Sequence, residues 1–286
     1  MTEKMSKIFS RTALHTVVIL IAILWFVPTI GVLVTSFRPA QDVTQSGWWT
    51  VLGGIFDSVR FTLHNYRMVL SKLGIGRAFL NSFIITIPAT LIPLGIALFA
   101  AYAISCMRFF AREAVFMLMI ALLVVPLQMT FIPILRIFSK TDLAGTFPGI
   151  WLAHTGYGLP LAIYMLYNYI SGLPEELFDS ASIDGANHFY IFLRIVLPLS
   201  VPIVASLTIF QFLWVWNDLL VALIYLGGTA DVAPITVQIS SLVGSYGQDW
   251  EILTAAVFIS IIPSLLVFFS LQRYFVRGIL AGSIKG

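Results

Sequence analysis

The sequence predicts an all-α, polytopic membrane protein. Of its 286 residues, 59% are hydrophobic and only 10% are charged, whereas soluble domains contain about 25% charged residues. The mean hydropathy is +0.97, which is typical of a chain that faces lipid over much of its surface. The apolar stretches lack the alternation of polar and apolar residues that membrane-barrel strands need, so the spans are predicted to be helices.

Stretches without Asp, Glu, Lys or Arg locate these helices, and the shortest of them has 21 residues. About 20 helical residues cross the hydrocarbon layer of a bilayer. We therefore expect a single transmembrane domain over residues 1–286 with six spans, the first of which is too long for a cleaved signal-peptide core. The predicted spans are at about 14–36, 81–105, 114–135, 148–170, 196–222 and 253–273.

The distribution of basic residues predicts the orientation. With the N-terminus in the cytoplasm, nine basic residues face inward and seven face outward, and five of the outer seven fall in one long loop. Basic residues also cluster at both termini, as expected for cytoplasmic segments. Both termini are therefore predicted to be cytoplasmic, with an external loop at 37–80, a cytoplasmic loop at 171–195 and a tail at 274–286.

The long external loop contains a candidate amphipathic helix. In "FTLHNYRMVLSKL", Tyr66, Val69, Leu70 and Leu73 fall on one helical face, which indicates a short helix lying on the bilayer. A surface for docking a partner is the alternative. Trp48 and Trp49 suit the membrane interface, where aromatic side chains are enriched.

The loop between the fourth and fifth spans gathers carboxylates in a chain with few charges. Pro174 suits the first position of a helix, and Glu175 and Glu176 complement the positive end of its dipole. Gly185 can adopt the left-handed conformation that ends a helix. Because so short a helix is marginal in water and presents an apolar face, it is expected to dock into another protein.

This loop resembles the signature of permeases of ABC importers, written EAA…G…I-LP. The matching residues are Asp179, Ser180, Ala181, Gly185, Ile195, Leu197 and Pro198. The departure is Asp-Ser-Ala in place of Glu-Ala-Ala, which keeps the charge and the small residues. "FLNSFIITIPATLIPLGIALFAAYAIS", "FLWVWNDLLVAL" and "LQRYFVRGILAGSIKG" are similar to the six-span permeases of maltose-type sugar importers, and "TSFRPAQDVTQSGWWT" to permeases for α-glucosides.

The resemblance implies a permease subunit in the inner membrane of a prokaryote, which imports a sugar or glucoside. Its implied partners are a second permease, an ATPase dimer that binds ATP and Mg, and an external solute-binding protein; no nucleic acid is implied. The loop helix would be the coupling helix that contacts the ATPase, and the tail would enter the ATPase interface. The implied coupling residues are Glu176, Asp179, Ser180, Ala181, Asp184, Gly185, Ile195, Leu197 and Pro198, and the implied tail residues are Arg277, Gly278, Gly282, Lys285 and Gly286.

The chain is not expected to be an enzyme. It contains no G-x-x-x-x-G-K-[ST] phosphate loop, so the energy would come from partner subunits, and this chain would bind no cofactor itself. Its four histidines lack ligand spacing, so no metal site and no catalytic residue is predicted.

Asp218 is an acidic residue embedded in an apolar stretch, beside Trp214 and Asn217. Such a residue normally faces the interior of a helix bundle or an aqueous cavity. The three residues are candidates for lining the translocation pathway; a packing or capping role and a helix break are the alternatives. The rival function is an ion-coupled secondary transporter with Asp218 as the ion site.

Overall fold

A computed structural model describes the backbone of residues 2–53, 60–245 and 249–283 and the side chains of residues 11–51, 60–243 and 249–274. All regular elements in these ranges are helices, as predicted. They are α1 Thr2–Ser36, α2 Ala40–Gln45, α3 Thr50–Gly53, α4 His64–Ser71, α5 Ile75–Cys106, α6 Arg112–Val124, α7 Leu127–Lys140, α8 Phe147–Ile170, α9 Glu175–Ile183, α10 His188–Ile191, a π-helical turn Phe192–Val196, α11 Leu197–Leu199, α12 Val201–Trp216, α13 Leu220–Leu226, α14 Ile235–Ser245 and α15 Trp250–Ser283.

Within the described residues, three helices are long and apolar enough to cross a membrane, and two bent helix pairs raise the number to five. The three are Arg11–Ser36, Ile75–Cys106 and Trp250–Tyr274, which contain the predicted first, second and sixth spans. The predicted fourth span coincides with α8, a helix of 24 residues that is more polar because it carries His154, Thr155 and four tyrosines. The total of six spans stays a prediction.

The predicted third span, 114–135, consists of two helices, α6 and α7, rather than one straight helix. The chain bends by 98° between α6 and α7. Val125 is extended, with ψ 117, and Pro126 precedes the first residue of α7. The cause is Pro126, because its ring disfavours the helical conformation of the residue before it.

The helices around the predicted fifth span, 196–222, begin and end at other residues, and the position of this span in a membrane stays a prediction. The helical segment begins at His188, bends by 71° near Ser200 and ends at Trp216. Asn217 and Asp218 then break the helix before α13 begins. The break itself was among the alternatives that the sequence left open.

The chain forms two compact units, the first of which comprises Met1–Gly76 and Ile239–Ile259. Within it, α4 is tied to the end of α1. The side-chain amide of Asn65 donates to the carbonyls of Ser36 and Arg38, each at 2.9 Å, and the hydroxyls of Tyr66 and Ser36 share a hydrogen bond of 2.7 Å. Burial raises the pKa of Tyr66, so this hydroxyl keeps its proton. The predicted short helix is confirmed as α4, and its position on the bilayer stays a prediction.

The second unit comprises Arg77–Gln238 and Ser260–Gly286 and contains two apolar clusters. The first, which we call cluster 1, joins α5, α8, the π-helical turn and α12 through residues such as Ala101, Leu166 and Val196. The second joins α5, α7, α8 and α13 around the buried Tyr225. Among the helices of this unit, α8 packs against α6, α12 and α13.

A chain of hydroxyl groups connects α7, α8 and α13. The hydroxyl of Thr130 donates to the carbonyl of Leu127 at 2.6 Å, so Tyr157 donates to Thr130 at 2.7 Å. Tyr225 in turn donates to Tyr157 at 2.7 Å. These hydrogen bonds hold α7, the helix that follows the break at Pro126, against α8 and α13.

We expect the change Tyr157→Phe to lower the free energy of unfolding by about 1 kcal/mol, because it removes a donor to Thr130 and an acceptor for buried Tyr225. Tyr164→Phe, on the exposed side of the same helix, is the matched control and should change little. Unfolding in detergent, followed by circular dichroism, measures the difference. Equal stabilities of the two variants would contradict the role of the hydroxyl chain.

Candidate functional site

The acidic loop folds as predicted into a short helix, α9, with one difference at its start. Pro174 lies at the N-cap with ψ 129, so Glu175 rather than Pro174 is the first helical residue. Glu175 and Glu176 occupy the first turn, where their negative charges interact favourably with the positive end of the helix dipole. Gly185 has φ +81, and the N–H of Ala186 donates to the carbonyl of Ala181 at 2.9 Å. The predicted left-handed end of the helix is therefore confirmed.

One face of α9 packs onto the second unit's own core. Phe178 and Ala181 are partly buried against cluster 1. The opposite face is exposed, and no residue of α9 is fully buried. Ile183 and Leu177 are exposed by 86% and 40%, which is costly in water for apolar side chains. The helix is thus anchored on one side, and its other side carries the exposed Ile183 together with the polar residues Glu176, Asp179 and Ser180.

Most of the predicted coupling residues lie around one recess beside α9, with a volume of about 630 Å³. The recess brings the helix together with the segment that leads into the fifth span. The predicted residues that line it are Ser180, Ala181, Asp184, Gly185 and Ile195. Glu176 and Asp179 are exposed and lie outside this recess.

Leu197 and Pro198 act through the backbone. The N–H of Leu197 donates to the carbonyl of Phe192, five residues earlier, and this closes the π-helical turn. Pro198 has no N–H to continue the α-helical pattern, which explains why the wider turn forms here. Phe192 and Val196 of this turn are buried, at 3% and 0% exposure, whereas Leu193 and Arg194 are exposed.

A second polar cavity, of about 550 Å³, lies on the other side of α9. Asp179 and Glu175 line it together with Arg108 and Arg112 from the connection before α6. Sequence reasoning missed both arginines, because they lie about 70 positions from α9 along the chain and no short-range pattern connects them. The cavity mixes charges of both signs at the base of the helix.

Sequence reasoning also missed two contacts that hold the segment after α9. The side chain of Asn187 accepts a hydrogen bond of 2.8 Å from the N–H of Tyr190, and an Asn three residues before this N–H is a recognisable N-cap signal. The hydroxyl of Tyr102 on α5 donates to the carbonyl of His188 at 3.1 Å and lies 3.1 Å from Nδ1 of its ring. This second contact joins positions that no local pattern relates.

The predicted tail residues are only partly within the described range. Arg277, Gly278 and Gly282 continue α15 as helix, and Lys285 and Gly286 lie outside the described residues. The structure therefore does not test the predicted contact of the tail with a partner.

Asp218 caps the helix that follows it. Its carboxylate accepts hydrogen bonds from the N–H groups of Val221 and Ala222 at 3.3 and 3.0 Å, and its carbonyl accepts one of 2.6 Å from the hydroxyl of Thr236. Nε2 of the buried His154 is 3.9 Å from the carboxylate, which is too long for a hydrogen bond. Asp218 therefore has a capping role, which was one of the alternatives that the sequence left open.

Trp214 and Asn217, the two neighbours of Asp218 among the pathway candidates, differ in their surroundings. Trp214 packs edge-on against the ring of His154 at 5.4 Å and lines two recesses, of about 370 and 520 Å³, whose other walls are mainly apolar. Asn217 is exposed, and its amide donates to the carbonyl of Leu213 at 2.7 Å. A role of these residues in a translocation pathway stays a prediction.

Comparison with known proteins shows which family this chain is similar to. The family model described as "Binding-protein-dependent transport system inner membrane component" matches residues 92–281. The osmoprotective compounds uptake permease protein GgtD of Synechocystis sp. is 55% identical over 99% of this chain and 95% of its own length. The alpha-glucoside transport system permease protein AglG of Rhizobium meliloti is 41% identical over 96% of this chain and 97% of its own.

Solved structures share the fold at lower identity. A chain of a bacterial ABC transporter that imports the acidic polysaccharide alginate is 20% identical, with a TM-score of 0.78 over 94% of this chain and 97% of its own. A chain of the alginate transporter in complex with an alginate-pentasaccharide-bound periplasmic protein gives a TM-score of 0.67 over 93% of this chain and 95% of its own.

Two substitutions distinguish the capping role of Asp218 from a role of its negative charge. We expect Asp218→Ala to lower the free energy of unfolding by about 1 kcal/mol, because α13 loses its cap. Asp218→Asn should keep the stability of the original protein, since Asn caps helices equally well. Thermal unfolding in detergent measures both variants. An Asn variant as unstable as the Ala variant would show that the carboxylate does more than cap the helix.

Proposed function

We propose that this chain takes up an α-glucoside or a related small solute. It belongs to the family of inner membrane components of binding-protein-dependent transport systems and is a permease component of an ABC sugar importer. The observation that carries this function is the similarity of the whole chain to a permease named for α-glucosides and to one named for osmoprotective compounds. ATP is hydrolysed by separate partner subunits, not by this chain. A solute-binding protein and a second permease complete the transporter.

In the proposed mechanism, α9 couples the permease to the ATPase subunits, which would hold ATP and Mg. It offers the exposed Ile183 to a partner, and the adjoining recess, lined by Leu177 and Gly185, has room for a partner's side chain. Asp179 and Glu176 are exposed at the same helix and can pair with Arg or Lys of the partner. Apolar and charged contacts together favour a defined docking geometry.

Movement of α9 would reach the spans through three connections in the second unit. Phe178 and Ala181 pack on cluster 1, Tyr102 links His188 to α5, and the π-helical turn joins α10 to α11. Because these contacts are buried and rigid, a displacement of α9 would carry α5 and the fifth span with it. A rigid-body change between two arrangements is the expected response.

The remaining parts of the proposal concern topology and the transport pathway. We take the chain to cross the membrane six times, with α8 as the fourth span and both termini in the cytoplasm. This orientation places α9 and the tail on the same side as the ATPase. Trp214, Asn217 and Asp218 remain candidates for the pathway, where an indole ring would stack on a sugar face.

The function is tested by reconstituting the chain into proteoliposomes with the permease, ATPase and binding protein encoded beside it. We expect uptake of a radiolabelled α-glucoside to require ATP inside and the binding protein outside. Vanadate should abolish this uptake and a protonophore should leave it unchanged. Uptake driven by an ion gradient without ATP would refute the function, and uptake of an osmoprotective compound but not of α-glucosides would correct only the substrate.

The coupling role of α9 is tested at Gly185, where an added Cβ meets no atom within 4 Å. We expect Gly185→Glu to leave membrane insertion intact but to uncouple ATP hydrolysis from transport, because the side chain would occupy the recess. Gly185→Asn is the matched control, since Asn tolerates positive φ and is smaller. ATPase activity with and without the binding protein, measured alongside uptake, gives the coupling. Normal coupling in the Glu variant would contradict the docking of a partner here.

A further inference from the structure

Arg38, just beyond the end of α1, is a buried cation without an acidic partner in the described part of the chain. It is only 4% exposed. Its guanidinium donates to the carbonyls of Ser46 and Asp42 at 3.0 and 2.7 Å and to the hydroxyl of Ser46 at 2.6 Å. All three acceptors are neutral, and no carboxylate of the described residues forms an ion pair with Arg38. Burying a charge in this way is costly unless an anion accompanies it.

Arg38 lines a cavity of about 370 Å³. Arg60, from the returning part of the loop, lines the same cavity and is exposed. The other walls are mainly polar and include Gln45, Ser46 and Thr50. Asp42 also lines the cavity, so among the described residues two basic side chains and one carboxylate meet there.

The cavity adjoins the end of the first long apolar helix. The apolar helix Arg11–Ser36 ends immediately before Arg38. The indole of Trp48 lies against Gly31 of this helix, so close that a Cβ at Gly31 would approach its Nε1 to 2.8 Å. Trp49 is 62% exposed. Tryptophan side chains prefer the headgroup region of a bilayer, and both flank the loop that forms the cavity.

We propose that this cavity binds the phosphodiester headgroup of an anionic phospholipid. A guanidinium is suited to phosphate because it donates parallel hydrogen bonds to two of its oxygens. Arg38 is held in place by the three bonds to the α2 segment, so little side-chain entropy is lost on binding. Arg60 closes the open side, and the lipid tails extend along the apolar surface of α1, which is exposed all round at residues 11–30.

The alternative source of the same chemistry is a free phosphate ion. An acidic side chain of a neighbouring subunit is a different occupant, and it too would satisfy Arg38. The anchoring of the anion beside an exposed apolar helix favours the lipid, because only a lipid gains from contact with α1 as well. The lipid site is independent of the coupling mechanism and of the solute.

The test uses the whole transporter complex in nanodiscs of phosphatidylcholine with increasing phosphatidylglycerol. Native mass spectrometry then counts the phosphatidylglycerol molecules that the complex retains. We expect Arg60→Gln to weaken retention at one site about fivefold, the usual effect of one basic residue near anionic lipid. Thr50→Glu, which places a carboxylate in the cavity, should weaken it at least as much. Neither change touches Arg38, which the local fold needs.

Arg67→Gln on α4 is the matched control, because Arg67 is exposed but does not line the cavity. Retention reduced by both cavity variants and unchanged in the control, with no displacement by inorganic phosphate, supports the lipid site. Equal retention in all variants overturns it. Displacement by inorganic phosphate assigns the cavity to a free anion instead, and a loss of subunit association without loss of lipid assigns it to a partner's carboxylate.

Discussion

The structure depends on one constraint, which is that every interruption of a helix in the apolar layer must satisfy its backbone groups within the protein. The chain interrupts its helices at Pro126, at Ser200 and at Asn217, and each interruption has its own solution. Thr130 and its hydroxyl chain hold the helix after Pro126. A bond from Leu197 to Phe192 closes the π-helical turn, and the carboxylate of Asp218 caps α13. Polar residues that look out of place in the sequence therefore serve the backbone.

Contacts of the same kind connect the segment around α9 to the long helices. A short helix that only rested on the surface would move without consequence for the spans. Here the π-helical turn leads directly into the bent fifth span, and Tyr102 connects the same segment to α5. The rigidity comes from buried contacts rather than from ion pairs, since surface ion pairs contribute little to stability. A permease that is driven by another subunit needs this kind of connection.

The first unit solves a different problem, namely how to fasten an apolar helix to a polar loop. Asn65 and Tyr66 hold the end of α1 through neutral hydrogen bonds, which remain strong in a partly dehydrated environment. Arg38 stands in the same junction. The junction thus combines neutral hydrogen bonds with a cation that lacks an ion pair among the described residues. An anionic lipid headgroup would supply the missing negative charge.

The sequence by itself determined the helical class, the positions of the long apolar helices and both ends of α9, because these follow from composition and from residues close in the chain. Pro174, Glu175 and Gly185 act within a few residues, so their effects are readable without a fold. Only the tertiary structure decided that the carbonyl of Asp218 pairs with Thr236 and that Arg108 and Arg112 stand beside α9. These outcomes depend on which distant groups meet, and in a membrane the energy of such meetings comes from packing and hydrogen bonds that no local pattern encodes.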